Sequence, residues 1–245
     1  MKIVHAIWER KNLGMDAWEV TLDRKDMTDV SGTIAQLHSP QYAGCYVCVK
    51  LPVGNLRMVH ALEDDGFRFL ETQFQLVEAL EKSDVMRYGE SAAHIPVEER
   101  VIPKTREAWG AIIEKITPGM FDTDRIALDP AFGADVACQR YRNWCWEMFE
   151  NPESVMSVSS CAGEDVSFGI AIHDPATGTC DSVIGGNFSG SKNFGLGALV
   201  NAKAHFEGRA FKTAVSSNNL PMFRIHQNLG RIVRNEQYVF RKLYP

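Results

Sequence analysis

Apolar and polar residues alternate through three runs in the first fifty positions. These runs cover residues 3–7, 18–22 and 45–51, and turn-forming residues separate them. A two-residue period places successive side chains on opposite faces of a strand, so we predict three strands here. Residues 55–65 have apolar positions at helical spacing and end before Gly66, which predicts a helix. Another strand is expected over residues 67–77.

A polar stretch then divides the chain. Residues 80–105 contain Pro96, Pro103 and a charged run, which indicates a linker over residues 81–104. It separates an N-terminal region, residues 1–80, from a C-terminal domain, residues 105–245. In that domain the pattern predicts helices over residues 105–117, 131–149 and 195–207. Strands are predicted over residues 154–159, 166–173 and 180–188.

The sequence contains one internal repeat. Asn219 lies 164 residues after Asn55, and the same offset pairs identical residues at four more positions. These pairs are Leu56 with Leu220, Met58 with Met222, Gly66 with Gly230, and Gln73 with Gln237. Because the repeated unit reads as strand, helix, glycine and strand, we predict two similar halves.

A glycine turn distinguishes the second half from the first. Lys192-Asn193-Phe194-Gly195-Leu196-Gly197-Ala198 leads directly into a predicted helix. The first backbone N–H groups of a helix are unpaired and attract anions, and glycines let a phosphate approach closely. The segment is therefore either a phosphate cradle or a tight turn without a ligand. It lacks the dinucleotide-binding G-x-G-x-x-G and the Walker G-K-[ST].

This segment resembles the acetyl-coenzyme A loop of the GNAT N-acetyltransferases, [RQ]-x-x-G-x-[GA], with Lys192 at the first position. A later GNAT pattern, N-x-x-A-x-x-L-Y-x-x-x-G, is similar to the stretch from Asn219 to Gly230. Met222, Ile225 and His226 replace its Ala, Leu and Tyr. The resemblance implies an α/β GNAT fold, in which helices flank a central mixed, twisted sheet. The N-terminal region would be a degenerate half of the same kind.

The resemblance also implies a reaction and its binding residues. Acetyl-CoA would be the cosubstrate and the amine of a small molecule the acceptor. The cofactor would contact Gly185, Gly186, Asn187 and Asn219, in addition to residues 192–198. The layout of the whole chain is similar to TDP-fucosamine acetyltransferase and related sugar N-acetyltransferases, which suggests a nucleotide-linked amino sugar. A protein that binds coenzyme A or a partner without catalysis is the alternative.

Two residues are candidates for catalysis. His226 lies two helical turns after Asn219 and shares its face. An ordinary imidazole is roughly a quarter protonated at pH 7, so His226 could donate a proton to the leaving thiolate, or it could simply pack in the helix. Asp181 could act as a base through water, as a carboxylate does in related enzymes, or be a surface residue. By the same resemblance, Arg125 and Tyr141 could face the substrate.

Composition sets the remaining expectations. The net charge of -5 does not favour nucleic-acid binding, and no apolar run approaches the ~20 residues of a membrane helix. The N-terminus is charged too early for a secretory signal, so we expect a cytoplasmic protein. Cys45 and Cys48 would lie on opposite faces of a strand, which favours buried thiols over a metal site. A homodimer is a further expectation from the family.

Overall fold

The computed structural model describes residues 1–78, 97–176, 178–188, 210–228 and 231–245. The strands in these ranges are β1 (Lys2–His5), β2 (Ala17–Thr21), β3 (Tyr46–Pro52), β4 (Arg68–Glu78), β5 (Val97–Val101), β6 (Ser154–Cys161), β7 (Glu164–Asp174), β8 (Thr179–Asn187), β9 (Ala210–Ser216) and β10 (Ile232–Leu243). The α-helices are α1 (Arg10–Leu13), α2 (Val30–Leu37), α3 (Leu56–Asp64), α4 (Arg106–Ile113), α5 (Arg125–Leu128), α6 (Ala134–Glu150) and α7 (Leu220–Asn228). Short 3-10 helices cover Ile7–Glu9, Asp26–Thr28 and Pro40–Tyr42.

The strands form one mixed sheet. Their order is β1-β2-β3-β10-β4-β9-β8-β7-β6-β5. Within this sheet, β2 and β3 are parallel, as are β8 and β9, and the other neighbours are antiparallel. The predicted fold class, a mixed sheet with flanking helices, is confirmed.

The predicted repeat is present in the structure. The unit β3-α3-β4 recurs as β9-α7-β10, and each element begins 164 residues after its counterpart. The capping residue recurs too, because the side chains of Asn55 and Asn219 accept hydrogen bonds from the backbone N–H of Met58 and Met222. An asparagine at this position satisfies one of the unpaired N–H groups of a helix start.

The two halves exchange their last strands. β10 pairs with β3, and β4 pairs with β9, so each strand completes the sheet of the other half. The register repeats as well, since Gln237 faces Pro52 and Gln73 faces Ser216. Gln73 and Gln237 face each other at the centre. The halves are therefore related by an approximate twofold axis and share one continuous sheet.

Helix α6 packs against both halves. Its Cys138 and Cys145 belong to a core with Trp109 of α4 and Phe168 of β7. Its Ala137 joins a second core with residues of β3 and β10. This helix therefore fixes the position of its polar residues relative to both halves of the sheet.

Three observations differ from the sequence interpretation or lie beyond it. Within the predicted linker, Val97–Val101 form strand β5. The polar side chains of this segment do not indicate a strand, but its backbone pairs with β6. Helix α2 was not predicted. The expected helix over residues 195–207 lies outside the described residues. No helix of the described ranges combines the length and apolar character needed to cross a membrane.

Candidate active site

Strands β8 and β9 separate partway along their length. They pair in parallel from Thr179 with Ala210 to Ser182 with Thr213, and Thr213 Oγ1 donates a hydrogen bond to the carbonyl of Ser182 (2.9 Å). β8 then continues to Asn187 without pairing with β9. The corresponding pair in the first half, β2 and β3, stays together until β2 ends. A gap between parallel strands is therefore a feature of the second half.

A cavity of about 160 Å³ lies at this gap, and we call it the strand cleft. Its walls include Ile184 and Gly185 of β8, residues 213–216 of β9, and Arg231 before β10. Helix α7 contributes Met222 and His226, and Asn219 lies at its start. The predicted common face of Asn219, Met222 and His226 is thus confirmed, and this face lines the cleft.

A second cavity of about 610 Å³ adjoins the first, and we call it the interhalf cavity. Its walls come from both halves, since Glu19, Lys50 and Glu71 of the first half lie opposite residues of α6, β8 and β9. Six residues line both cavities: Asp124, Tyr141, Ser182, Val183, Ala214 and Ser216. These residues form the junction at which the two cavities meet.

His226 is neutral in this setting. The ring is 4% exposed, and its Nδ1 contacts a guanidinium nitrogen of Arg231, which is equally buried. Burial, with the charge of Arg231 as the second cause, lowers the pKa of His226 to about 3. The expectation that a quarter of the imidazole is protonated at pH 7 is therefore wrong. Because a guanidinium only donates, Nδ1 must accept, and the ring proton resides on Nε2.

Asp124 is the carboxylate at the junction. Its Oδ1 accepts the backbone N–H of Ile126 (2.8 Å) and so caps α5, while Oδ2 accepts the hydroxyl of Tyr141 (3.1 Å). Burial, supported by the charge of Asp124, raises the pKa of Tyr141 well above its usual value. Tyr141 consequently remains a donor to Asp124. Sequence reasoning missed this residue, because nothing in the local pattern separates Asp124 from the neighbouring Asp122.

Asp181 lies on the wall of the interhalf cavity. Its carboxylate is 3.6 Å from the ammonium of Lys212 on β9, and 42% of the side chain remains exposed. Partial burial raises the pKa of Asp181, although Lys212 acts in the opposite direction. Arg125 and Tyr141, which the resemblance placed near the substrate, line the same cavity. A role for Asp181 as the base stays a prediction.

The predicted cofactor residues occupy different environments. Gly185 lines the strand cleft, but Gly186 faces the rings of Phe121 and Phe168. A Cβ at position 186 would lie 3.1 Å from Phe121 and 3.3 Å from Phe168, so this glycine makes room for aromatic packing. Asn187 pairs with Ser167 at the end of β8. The whole glycine turn lies outside the described residues: Lys192, Asn193, Phe194, Gly195, Leu196, Gly197 and Ala198.

Comparison with known proteins identifies the fold. No protein-family model and no curated protein sequence matches the chain. A functionally unknown conserved protein from Staphylococcus epidermidis ATCC 12228 superposes with a TM-score of 0.65 at 11% identity, over 99% of this chain and 90% of that one. A GCN5-related N-acetyltransferase from Sphaerobacter thermophilus gives 0.59 at 12% identity, over 100% and 76%. One from Kribbella flavida gives 0.51 at 15% identity, over 93% and 81%. The chain therefore has the GNAT fold.

Proposed function

We propose that this protein transfers the acetyl group of acetyl-CoA to the amine of a small molecule. The separation of β8 from β9 carries the proposal, because it opens a cleft that ends at a second, larger cavity. Two adjoining cavities suit a reaction between two small molecules that must meet at one point. The junction at Asp124 and Ser182 is that point.

The residues of the cleft suit the arm of coenzyme A. Beyond Ser182, the edge of β8 that faces β9 pairs with no strand of the described chain. Such an edge offers backbone N–H and carbonyl groups to an extended ligand, and the pantetheine arm carries amides that match them. Gly185 and Asn219 line the same space. When bound, acetyl-CoA supplies an acetyl group that is activated as a thioester.

Three side chains divide the remaining work. Asp124 holds the amine at the junction, and Asp181 accepts its excess proton through water, since burial raises the pKa of this carboxyl. The neutral nitrogen then forms the C–N bond as the C–S bond breaks, and the proton lost from nitrogen balances the one gained by sulfur. His226 supplies a neutral, buried wall of the cleft instead of the imidazolium proton expected from the sequence.

The test measures thiol release from acetyl-CoA with a panel of amines. Turnover with at least one amine is expected. Met222→Trp should fill the cleft and weaken acetyl-CoA binding, measured by calorimetry, while Gln227→Trp changes an exposed position on the same helix and should not. Acetyl-CoA that binds but is never consumed with any amine would favour the alternative, a non-catalytic coenzyme A-binding protein.

A further inference from the structure

The interhalf cavity has an excess of negative charge. Among the residues that the structure describes, six carboxylates contribute to its walls: Glu9, Glu19, Glu71, Asp124, Glu147 and Asp181. Three cations of the same described ranges do so: Lys50, Arg125 and Arg140. A ligand that fills this space must therefore carry positive charge that balances these carboxylates.

The three cations are already engaged by carboxylates of the same walls. Arg140 donates to both carboxylate oxygens of Glu9 at 2.7–3.0 Å. Burial opposes ionisation of Glu9, but the bonds and charge of Arg140 outweigh it and lower the pKa. Arg125 lies 3.5 Å from Glu71 and 3.7 Å from Glu19. Lys50 also lies 3.5 Å from Glu19. An anionic ligand would have to compete with these ion pairs.

Of the three remaining carboxylates, Asp124 lies 3.9 Å from Arg140, and the other two have weaker compensation inside the cavity. Asp181 and Glu147 pair with Lys212 and Lys11, whose side chains are about half exposed and are not part of the lining. Solvent screens such exposed charges. Three aromatic side chains also line the walls, namely Trp8, Tyr141 and Trp144, and Arg140 already lies over the ring of Trp144 at 5.7 Å.

From this lining we propose that the acceptor is a small diamine or polyamine without phosphate groups. The inference rests on the proposed function and names its substrate class. The reacting amine must lose its charge before it attacks, so it cannot balance the carboxylates on its own. A second ammonium, kept in the interhalf cavity, supplies that balance. A nucleotide-linked amino sugar, the class suggested by sequence resemblance, would bring two phosphate charges into the same acidic space.

The proposal also gives the first half a task. Glu19 and Glu71 belong to β2 and β4, which come from the half whose parallel strands do not separate. Both residues line the interhalf cavity, because the two halves share one sheet. The first half therefore forms one wall of the acceptor cavity, while the second half holds the cleft for acetyl-CoA.

The experiment compares putrescine, spermidine, butylamine, aminobutanol and a nucleotide-linked amino sugar as acceptors for thiol release. One added hydrogen bond between charged groups predicts that kcat/KM for putrescine exceeds that for butylamine by about tenfold or more. Glu147→Gln should reduce this ratio, because the cation that pairs with Glu147 is not part of the lining. Glu107→Gln is the control. It changes an exposed residue of α4 and should leave the ratio unchanged.

Each outcome separates the two proposals. Equal or better turnover of butylamine or the nucleotide-linked sugar would overturn the diamine assignment and leave the acetyltransferase function standing. If no amine releases thiol, calorimetry with putrescine still tests the cavity. Binding that Glu147→Gln weakens would support the assignment without the transferase activity, and no binding would overturn it.

Discussion

Arg231 contacts the buried, neutral ring of His226 at the wall of the strand cleft. A guanidinium nitrogen contacts Nδ1, and the backbone N–H of Arg231 bonds to the carbonyl of His226 (3.0 Å). Tyr141 and Asp124 are the other titratable groups that line this cleft. The arrangement determines which ring nitrogen carries the proton, and it has measurable consequences for stability.

Acid should destabilise the protein through His226. The folded-state pKa is about 3, below the ordinary value of about 6.5 expected on unfolding. The unfolded chain therefore binds the proton first, so this contribution to stability is present above pH 6.5 and is lost as the pH falls toward 3. Between pH 7.5 and 5.5 the loss from this residue alone is about 1 kcal/mol.

Urea unfolding at these two pH values measures the effect. His226→Gln keeps an acceptor for Arg231 and should lose about 1 kcal/mol less than the wild type over the same interval. His60→Gln changes an exposed histidine on α3 and should behave as the wild type does. Equal acid sensitivity of the wild type and His226→Gln would contradict a neutral, buried ring.

Replacing Asp124 by asparagine should impair the reaction more than the fold. Asparagine retains an oxygen that can cap α5, but it removes the negative charge at the junction. Loss of a charged hydrogen bond to the amine predicts a fall in kcat/KM of about 10- to 100-fold. Asp122→Asn, two residues earlier and exposed, is the matched control. An unaltered kcat/KM in Asp124→Asn would remove this carboxylate from acceptor binding.

The sequence predicts the framework of the site better than its chemistry. The repeat and the face shared by Asn219, Met222 and His226 follow from short-range periodicity, which the sequence carries directly. The ionisation of His226 depends first on burial of the ring and then on the charge of Arg231, and the helical pattern indicates neither. Asp124 reaches the junction only because α6 brings Tyr141 to it. Such tertiary contacts leave no local pattern.

Secondary structure shows the same distinction between local pattern and tertiary contacts. Asp29 caps helix α2, because its side chain accepts the N–H of Gly32, and the helix contains Gly32 and Thr33, residues of low helix propensity. Val30 and Leu37 of this helix pack in a core with residues of β2 and β3, and this packing outweighs the propensity. Strand β5 likewise depends on its partner β6, which lies more than fifty residues away in the sequence.

Gly186→Ala should disturb the wall of the site. The new Cβ would press on Phe121, whose ring stacks on Tyr141 with centroids 3.6 Å apart. Overpacking of this kind costs about 1–3 kcal/mol. Gly110→Ala is the control, because its Cβ would meet Trp146 at an ordinary 3.6 Å inside helix α4. That change should stabilise the protein by about 0.5–1 kcal/mol. Thermal unfolding of both variants tests the contrast, and equal effects would contradict it.

Variants of the equivalent capping residues Asn55 and Asn219 can distinguish an effect on stability from an effect on cofactor binding. Each caps the helix of its own repeat, so alanine at either position should cost about 1 kcal/mol in urea unfolding. Only Asn219 lines the strand cleft. Serine restores a capping oxygen but not the amide. Asn219→Ser should therefore keep most of the stability yet weaken acetyl-CoA binding, measured by calorimetry, whereas Asn55→Ser should bind as the wild type does. Unchanged binding in Asn219→Ser would show that this residue is retained for its cap alone.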